Sequence, residues 1–333
     1  MWPEKRVGWG KMLRVSLFDR FTVRGEGRRL EGCELGRVRE LFGYLLLNRH
    51  RAHTRETVAS QLWGDHYTTA GSRTQLRKAL WQLQSALHPE PSLDFRDVLL
   101  VDAEWIRINP TALWLDVAEL EDAYLRVRET PGACLDEPAA QSLARAAALY
   151  KEDLLDGWAQ DWCLCERERL RHVYLVVTDK LASYFEARQA YEPAIRYAMQ
   201  ILRFDRAREH THRQLMRLHY LAGDPGGAVA QFDACVAVLR EELDVGPARS
   251  TLHLKEQILA GRSVRDAPGG SGAAFEGESP GESSDGSVAA HLRELYARVD
   301  AIEAQLHQMI STTDRVLGSE HDAAPSPRAP GPS

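Results

Sequence analysis

Residues 72–87 read SRTQLRKALWQLQSAL. Leu76, Leu80, Leu83 and Leu87 recur at steps of four, three and four, which places them on one helical stripe. Thr74, Lys78, Trp81, Gln82 and Ser85 fall on the opposite face, with Arg73 and Arg77 along its edge. No Asp or Glu occurs between Asp65 and Glu90. A solvated surface helix normally mixes both signs of charge. One apolar stripe backed by an acid-free cationic face predicts a helix that packs on a core and offers its other side to something anionic.

Upstream, Leu13, Val15 and Leu17 alternate within MLRVSLFDRFTVR (12–24), which predicts one or two strands. RRLEGCELG (28–36) reads as a loop. Arg37 to Asn48 predicts a helix with Val38, Leu41, Phe42, Leu45 and Leu46 inward. Thr54 is a good N-cap for a short helix, TRETVASQLW, with Val58, Leu62 and Trp63 inward and Gly64 as its stop. The helix of 70–87 follows, barred from continuing by Pro89. DVLLV and EWIRI then flank Asp102-Ala103 as a strand pair. Strand, helix, helix, helix, hairpin is the element order of a winged helix-turn-helix, in which the last helix docks in the DNA major groove.

Charge segregates the same way. Residues 1–88 hold 16 Lys+Arg against 8 Asp+Glu, a net of +8, whereas the remaining 245 carry 26 against 40, a net of −14. A basic end on an acidic chain suits contact with a polyanion. No apolar run approaches the roughly 20 residues needed to cross a bilayer, and no signal peptide opens the chain. A soluble cytoplasmic protein, associated with the nucleoid, is expected. Five cysteines are an odd number and suit reduced packing thiols. Cys163 and Cys165 have no partner cluster at metal-ligand spacing, and His210 and His212 read as surface histidines.

From Asp116 to about Leu259 the pattern is helical. A shift of 34 residues aligns Leu181 with Leu215, Tyr184 with Leu218, Ala194 with Ala228 and Ile195 with Val229. Helix pairs at that period are the tetratricopeptide signature. Residues 262–287 are rich in Gly, Ser, Pro and Glu, as a flexible linker is. Beyond them Leu292, Val299 and Leu306 occupy a positions and Leu295, Ile302 and Met309 d positions of a strict heptad, which predicts self-association, most simply as a dimer. The expected fold is mainly α: a basic arm (1–11), a winged-helix domain (12–110), a helical repeat domain (111–261), the linker, a short coiled coil (288–312) and a disordered tail (313–333).

TRETVASQLWGD (54–65) and SRTQLRKALWQLQSAL resemble the DNA-binding domain of the antibiotic-regulatory-protein (SARP) transcriptional activators. LYKEDLLDGWAQDWCLCERERLRHVYL (149–175) and AVLREELDVGPARSTLHLKEQIL (237–259) resemble the bacterial transcriptional activator domain that follows it in that family. The resemblance spans about Met12 to Ala260. It implies an OmpR-like winged helix, a tetratricopeptide-type activation domain, binding to repeated promoter sites in double-stranded DNA, and recruitment of RNA polymerase. Where the family usually has a Gly-rich wing turn, this chain has Asp102 and Glu104, whose charges would be repelled by phosphate.

On this basis base reading falls to Arg73, Thr74, Arg77, Lys78 and Gln82. Backbone contacts fall to Arg37, Arg39, Arg51, Thr54 and Arg55, with Arg96 and Arg107 beside the wing. Trp81 is expected to pack between helix and wing, with stacking on the DNA backbone as the alternative. No phosphate loop, nucleophile elbow or metal triad stands out, so neither an enzyme nor a cofactor is expected. The alternatives are a repeat-based protein adaptor and a ligand-sensing regulator with a degenerate winged helix.

Overall fold

A computed structural model describes residues 12–18, 20–25, 28–87 and 95–261. The arm residues, the linker and the heptads with Leu292, Leu295, Val299, Ile302, Leu306 and Met309 lie outside the described residues. Two short strands, β1 (Leu13–Ser16) and β2 (Thr22–Gly25), open the chain as the alternation predicts, with Leu13, Val15 and Val23 fully buried. The segment 28–36 is more ordered than a loop: β3 (Arg28–Arg29) pairs with β2, and a single 3-10 turn covers Glu31–Glu34. Three helices follow: α1 (Gly36–Leu47), α2 (Arg55–Trp63) and α3 (Thr69–Leu87). All five predicted inward residues of α1 are buried, and so are Gly43, Tyr44 and Leu47, so the C-terminal half of α1 is enclosed on every side.

The wing is a three-stranded sheet in the order β4 (His53–Thr54), β6 (Trp105–Ile108), β5 (Leu99–Val101), preceded by the four-residue helix α4 (Phe95–Val98). The chain then returns to the N-terminus. β7 (Leu113–Leu115) pairs in parallel with β1, giving the first sheet the order β3-β2-β1-β7. Asp116 follows directly and is 2% exposed. Its carboxylate accepts from the backbone amides of Leu17 (2.8 Å), Phe18 (3.0 Å) and Val117 (2.8 Å), which ties the end of β1 to the start of α5 (Asp116–Val127).

The helical region continues with α6 (Glu137–Ala147), α7 (Asp161–Ala187), α8 (Tyr191–Phe204), α9 (Glu209–Leu221), α10 (Pro225–Leu243) and α11 (Arg249–Leu259). The 34-residue offset maps α7–α8 onto α9–α10. Leu181, Leu215, Leu218, Ala194 and Ala228 are fully buried and Tyr184 nearly so, while Ile195 and Val229 are both half-buried. The repeat is therefore one of packing as well as of sequence.

One apolar core runs from Leu13 to Tyr184 across the predicted boundary at residue 110. The connection between α6 and α7 reaches the first sheet: Leu155 N donates to Leu17 O at 3.0 Å, and Phe18 bridges to Leu154. Phe18 lies 4.6 Å from the Tyr150 ring and Tyr44 packs edge-on to Trp162 at 5.5 Å. Arg167 holds this connection by donating to the carbonyls of Leu154, Leu155 and Trp158, each at 2.9 Å.

Two expectations are corrected. His212 is buried, not a surface residue: its Nε2 meets Arg206 O at 2.8 Å and its Nδ1 meets Gln231 Nε2 at 2.7 Å. Nε2 thus donates to the Arg206 carbonyl, while Gln231 donates to Nδ1. All five cysteines are free thiols, but Cys134 and Cys165 are exposed and only Cys33, Cys163 and Cys235 pack inside. Leu62, expected inward, is half-buried and packs against the core. Among the described residues no helix is long and apolar enough to cross a membrane.

Candidate nucleic-acid interface

The leucine stripe of α3 is core: Leu76, Leu80, Leu83 and Leu87 are at most 3% exposed. The helix is anchored at its start by Ser72, whose hydroxyl contacts the carbonyls of Trp63 and Thr68 at 3.2 Å. A Trp63–Glu40 hydrogen bond of 3.0 Å fixes α2 against α1. With one side clamped, the other is rigid and open: Arg73, Thr74, Arg77, Lys78 and Trp81 are all exposed. Arg77 Nη2 donates to Thr74 Oγ1 at 3.3 Å, and that hydroxyl donates to Ala70 O at 3.0 Å.

Trp81 does not pack against the wing. It is 67% exposed and lines a groove of about 590 Å³ between α3 and the start of α1, shared with Leu35, Arg37, Gln75, Lys78 and Gln82. Gln82 is half-buried on the side of this groove. Arg37 is drawn into it, donating to Gln75 Oε1 and to the Tyr67 hydroxyl, with its guanidinium 5.1 Å from the Tyr67 ring.

The start of α2 joins this surface. Thr54 caps the helix, its hydroxyl accepting from Thr57 N at 3.1 Å. Arg55 N donates to Glu104 O at 2.8 Å and its guanidinium to Asp102 O at 3.1 Å, so Arg55 braces the wing turn. Asp102 has a local duty as well: its Oδ1 accepts from the amides of Trp105 (2.6 Å) and Glu104 (2.8 Å). Those two amides hold its carboxyl below the usual range. The acid at the wing tip therefore closes the turn with its own side chain.

The other predicted cations separate. Arg107 is exposed on β6. Arg51 donates to Asn48 Oδ1 at 3.3 Å beyond the end of α1. Arg39 points away from α3 into the helical region, its guanidinium 4.7 Å over the Trp158 ring. The side chain of Arg96, in α4, lies outside the described residues. Sequence reasoning missed Glu56, Gln75 and Tyr67. Glu56 looks like an ordinary acid in a first helical turn, and its partner Arg73 is 17 residues away, 2.7 Å from Oε1.

The fold and this surface define a winged helix-turn-helix merged with a helical repeat region. Residues 115–259 match the family model of the bacterial transcriptional activator domain. The structure is similar to that of Mycobacterium tuberculosis EmbR in complex with a low-affinity phosphopeptide, with a TM-score of 0.62 at 18% identity, covering 76% of this chain and 66% of that one. This chain thus spans just under two thirds of the EmbR length, and the likeness is one of fold. The C-terminal TPR-containing domain of a Plasmodium falciparum FK506-binding protein aligns at a TM-score of only 0.31, with 14% identity over 44% of this chain and 89% of that one. No curated protein sequence matches. In this chain a bacterial transcriptional activator domain thus follows a winged helix, the fold that EmbR shares.

Proposed function

We propose that this chain is a SARP-type transcriptional activator that binds repeated promoter sites in double-stranded DNA through α3 and recruits RNA polymerase through its helical region. The supporting observation is the rigid face of Arg73, Thr74, Arg77, Lys78 and Trp81 on a helix whose opposite side is wholly core. Arg73, Arg77 and Lys78 suit guanine O6/N7, Gln82 suits adenine, and the Thr74 methyl suits thymine. Arg55 and Arg107 suit phosphates. The role involves no enzymatic step and no cofactor.

A dimer formed through the heptads of 288–312 completes the proposal by raising the effective concentration of the second reading head. A random-coil linker of 26 residues spans on the order of 25–30 Å, near the roughly 34 Å turn of B-DNA. The test is a mobility-shift assay with duplexes selected by the full chain from a random library. Selective binding that weakens steeply between about 50 and 200 mM salt supports the role. Absence of any sequence preference would leave the protein-adaptor alternative in its place.

A further inference from the structure

Glu56 and Arg73 form an ion pair between the first turn of α2 and the first turns of α3, with Nη2 at 2.7 Å from Oε1. Both side chains are well exposed, at 65% and 57%, so the pair contributes little to stability. Its chemical consequence is larger. Of the three cations on the exposed face of α3, Arg73 alone has a carboxylate partner among the described ion pairs; Arg77 leans on a hydroxyl. The contact engages a single guanidinium nitrogen, and an arginine has five N–H donors. Arg73 is thus neutralised and oriented, yet most of its donors remain available.

We propose that Glu56 is a specificity-determining residue, acting through Arg73; this rests on the DNA-binding role proposed above. Non-specific affinity comes from cations that meet phosphates and displace counterions. An arginine already paired with a carboxylate brings no net charge to that exchange. Away from its site the protein therefore forgoes the contribution of one cation. At its site the situation reverses. Guanine O6 and N7 are fixed acceptors that call for a correctly aimed fork instead of net charge. Glu56 keeps Nη2 and steadies the guanidinium while the remaining donors face the base. The pair thus suppresses off-site binding more than on-site binding.

The test compares the full wild-type chain with Glu56→Gln, Arg73→Gln and the double variant. The probes are a duplex selected by the full chain and a shuffled duplex of the same composition, titrated across a salt series. Glu56→Gln is expected to tighten binding to the shuffled duplex several-fold and to steepen its log–log salt slope by about 0.9, the value of one added phosphate contact. Affinity for the selected duplex should change less than twofold, so the selectivity ratio falls several-fold. In the Arg73→Gln background the same change at Glu56 should alter neither ratio nor slope. An unchanged ratio in Glu56→Gln overturns the proposal. So does an equal gain in the Arg73→Gln background, which would reflect only the loss of a negative charge. A wild-type chain that fails to prefer the selected duplex removes the DNA-binding role itself, before any variant is compared. Thermal melting of the variants should match wild type, because neither side chain supports the core.

Discussion

Arg49, just beyond α1, is buried against Glu121 of α5, and the same carboxylate accepts from Arg169 of α7 at 2.5 Å. Arg49 is only 3% exposed. Two positive charges from two regions of the chain thus converge on one acid. Burial alone would raise the Glu121 carboxyl, but Arg49 and Arg169 outweigh it and hold it below the ordinary glutamate value. A carboxyl held low in the folded state contributes stability above its unfolded pKa of about 4.5 and loses it as pH falls through the folded value. Glu121→Gln should cost about 3–5 kcal/mol at neutral pH, because it leaves a buried guanidinium uncompensated. The deficit should shrink as pH falls below about 4.5, where the unfolded chain takes up the proton before the folded one does. Paired melting curves at pH 7 and pH 3.5 check both statements, and parallel curves would refute the second.

Replacing Arg77 and Lys78 together by alanine should leave the melting temperature unchanged, since both are exposed. Binding to a selected duplex should weaken by at least tenfold, a discrimination of about 1–3 kcal/mol per good base contact. Unchanged affinity would mean that α3 is not the reading helix.

Trp81→Ala should likewise be neutral for stability, in contrast to a core tryptophan, whose loss costs about 3–5 kcal/mol. At 67% exposure the ring has little to lose on truncation. A melting shift beyond a degree or two would show that Trp81 packs inside after all.

Asp116→Ala should destabilise the fold by about 3–5 kcal/mol, because the Leu17, Phe18 and Val117 amides all lose their acceptor and each orphaned buried donor costs about 1–3 kcal/mol. Calorimetry or denaturant titration would measure it. A loss below about 1 kcal/mol would show that water takes over those amides.

Gly132 packs under α7, and a Cβ there would lie 2.5 Å from the Lys180 carbonyl oxygen. Gly132→Ala should cost about 1–3 kcal/mol through overpacking. Gly226 offers the control: a Cβ there meets only the Asp224 carboxylate at 3.6 Å. In α10 that change should be neutral or stabilising by up to about 1 kcal/mol. Equal melting shifts for the two would sink the packing argument.

The helices were legible in the sequence because their signals are local. The leucines of α3 and the stripe of α1 repeat within a few turns, and the 34-residue offset repeats a whole packing unit. Features that depend on distant partners were not. β7 is three residues long and meets β1 about 100 residues earlier, below any periodic signal and across a parallel pairing. Arg39 lies in a basic segment and looks like a phosphate contact, yet Trp158 claims it. His212 looks polar and exposed until Gln231 arrives from the next helix. Trp81 failed in the opposite sense: an aromatic residue promises burial, and nothing in its neighbourhood of sequence says that the wing stays clear of it. On α3 the exposed face was legible, while the Glu56–Arg73 pairing needed the turn between α2 and α3.

The strand β7 has a consequence for how this molecule can be divided. A fragment ending near residue 110 would keep all three helices and the wing, yet it would strip β1 of a neighbour and leave Leu13, Arg14 and Val15 along an unpaired sheet edge. Such an edge invites pairing with another copy. A fragment cut there is expected to self-associate, and one that keeps this sheet whole has to carry residues 113–116 with it.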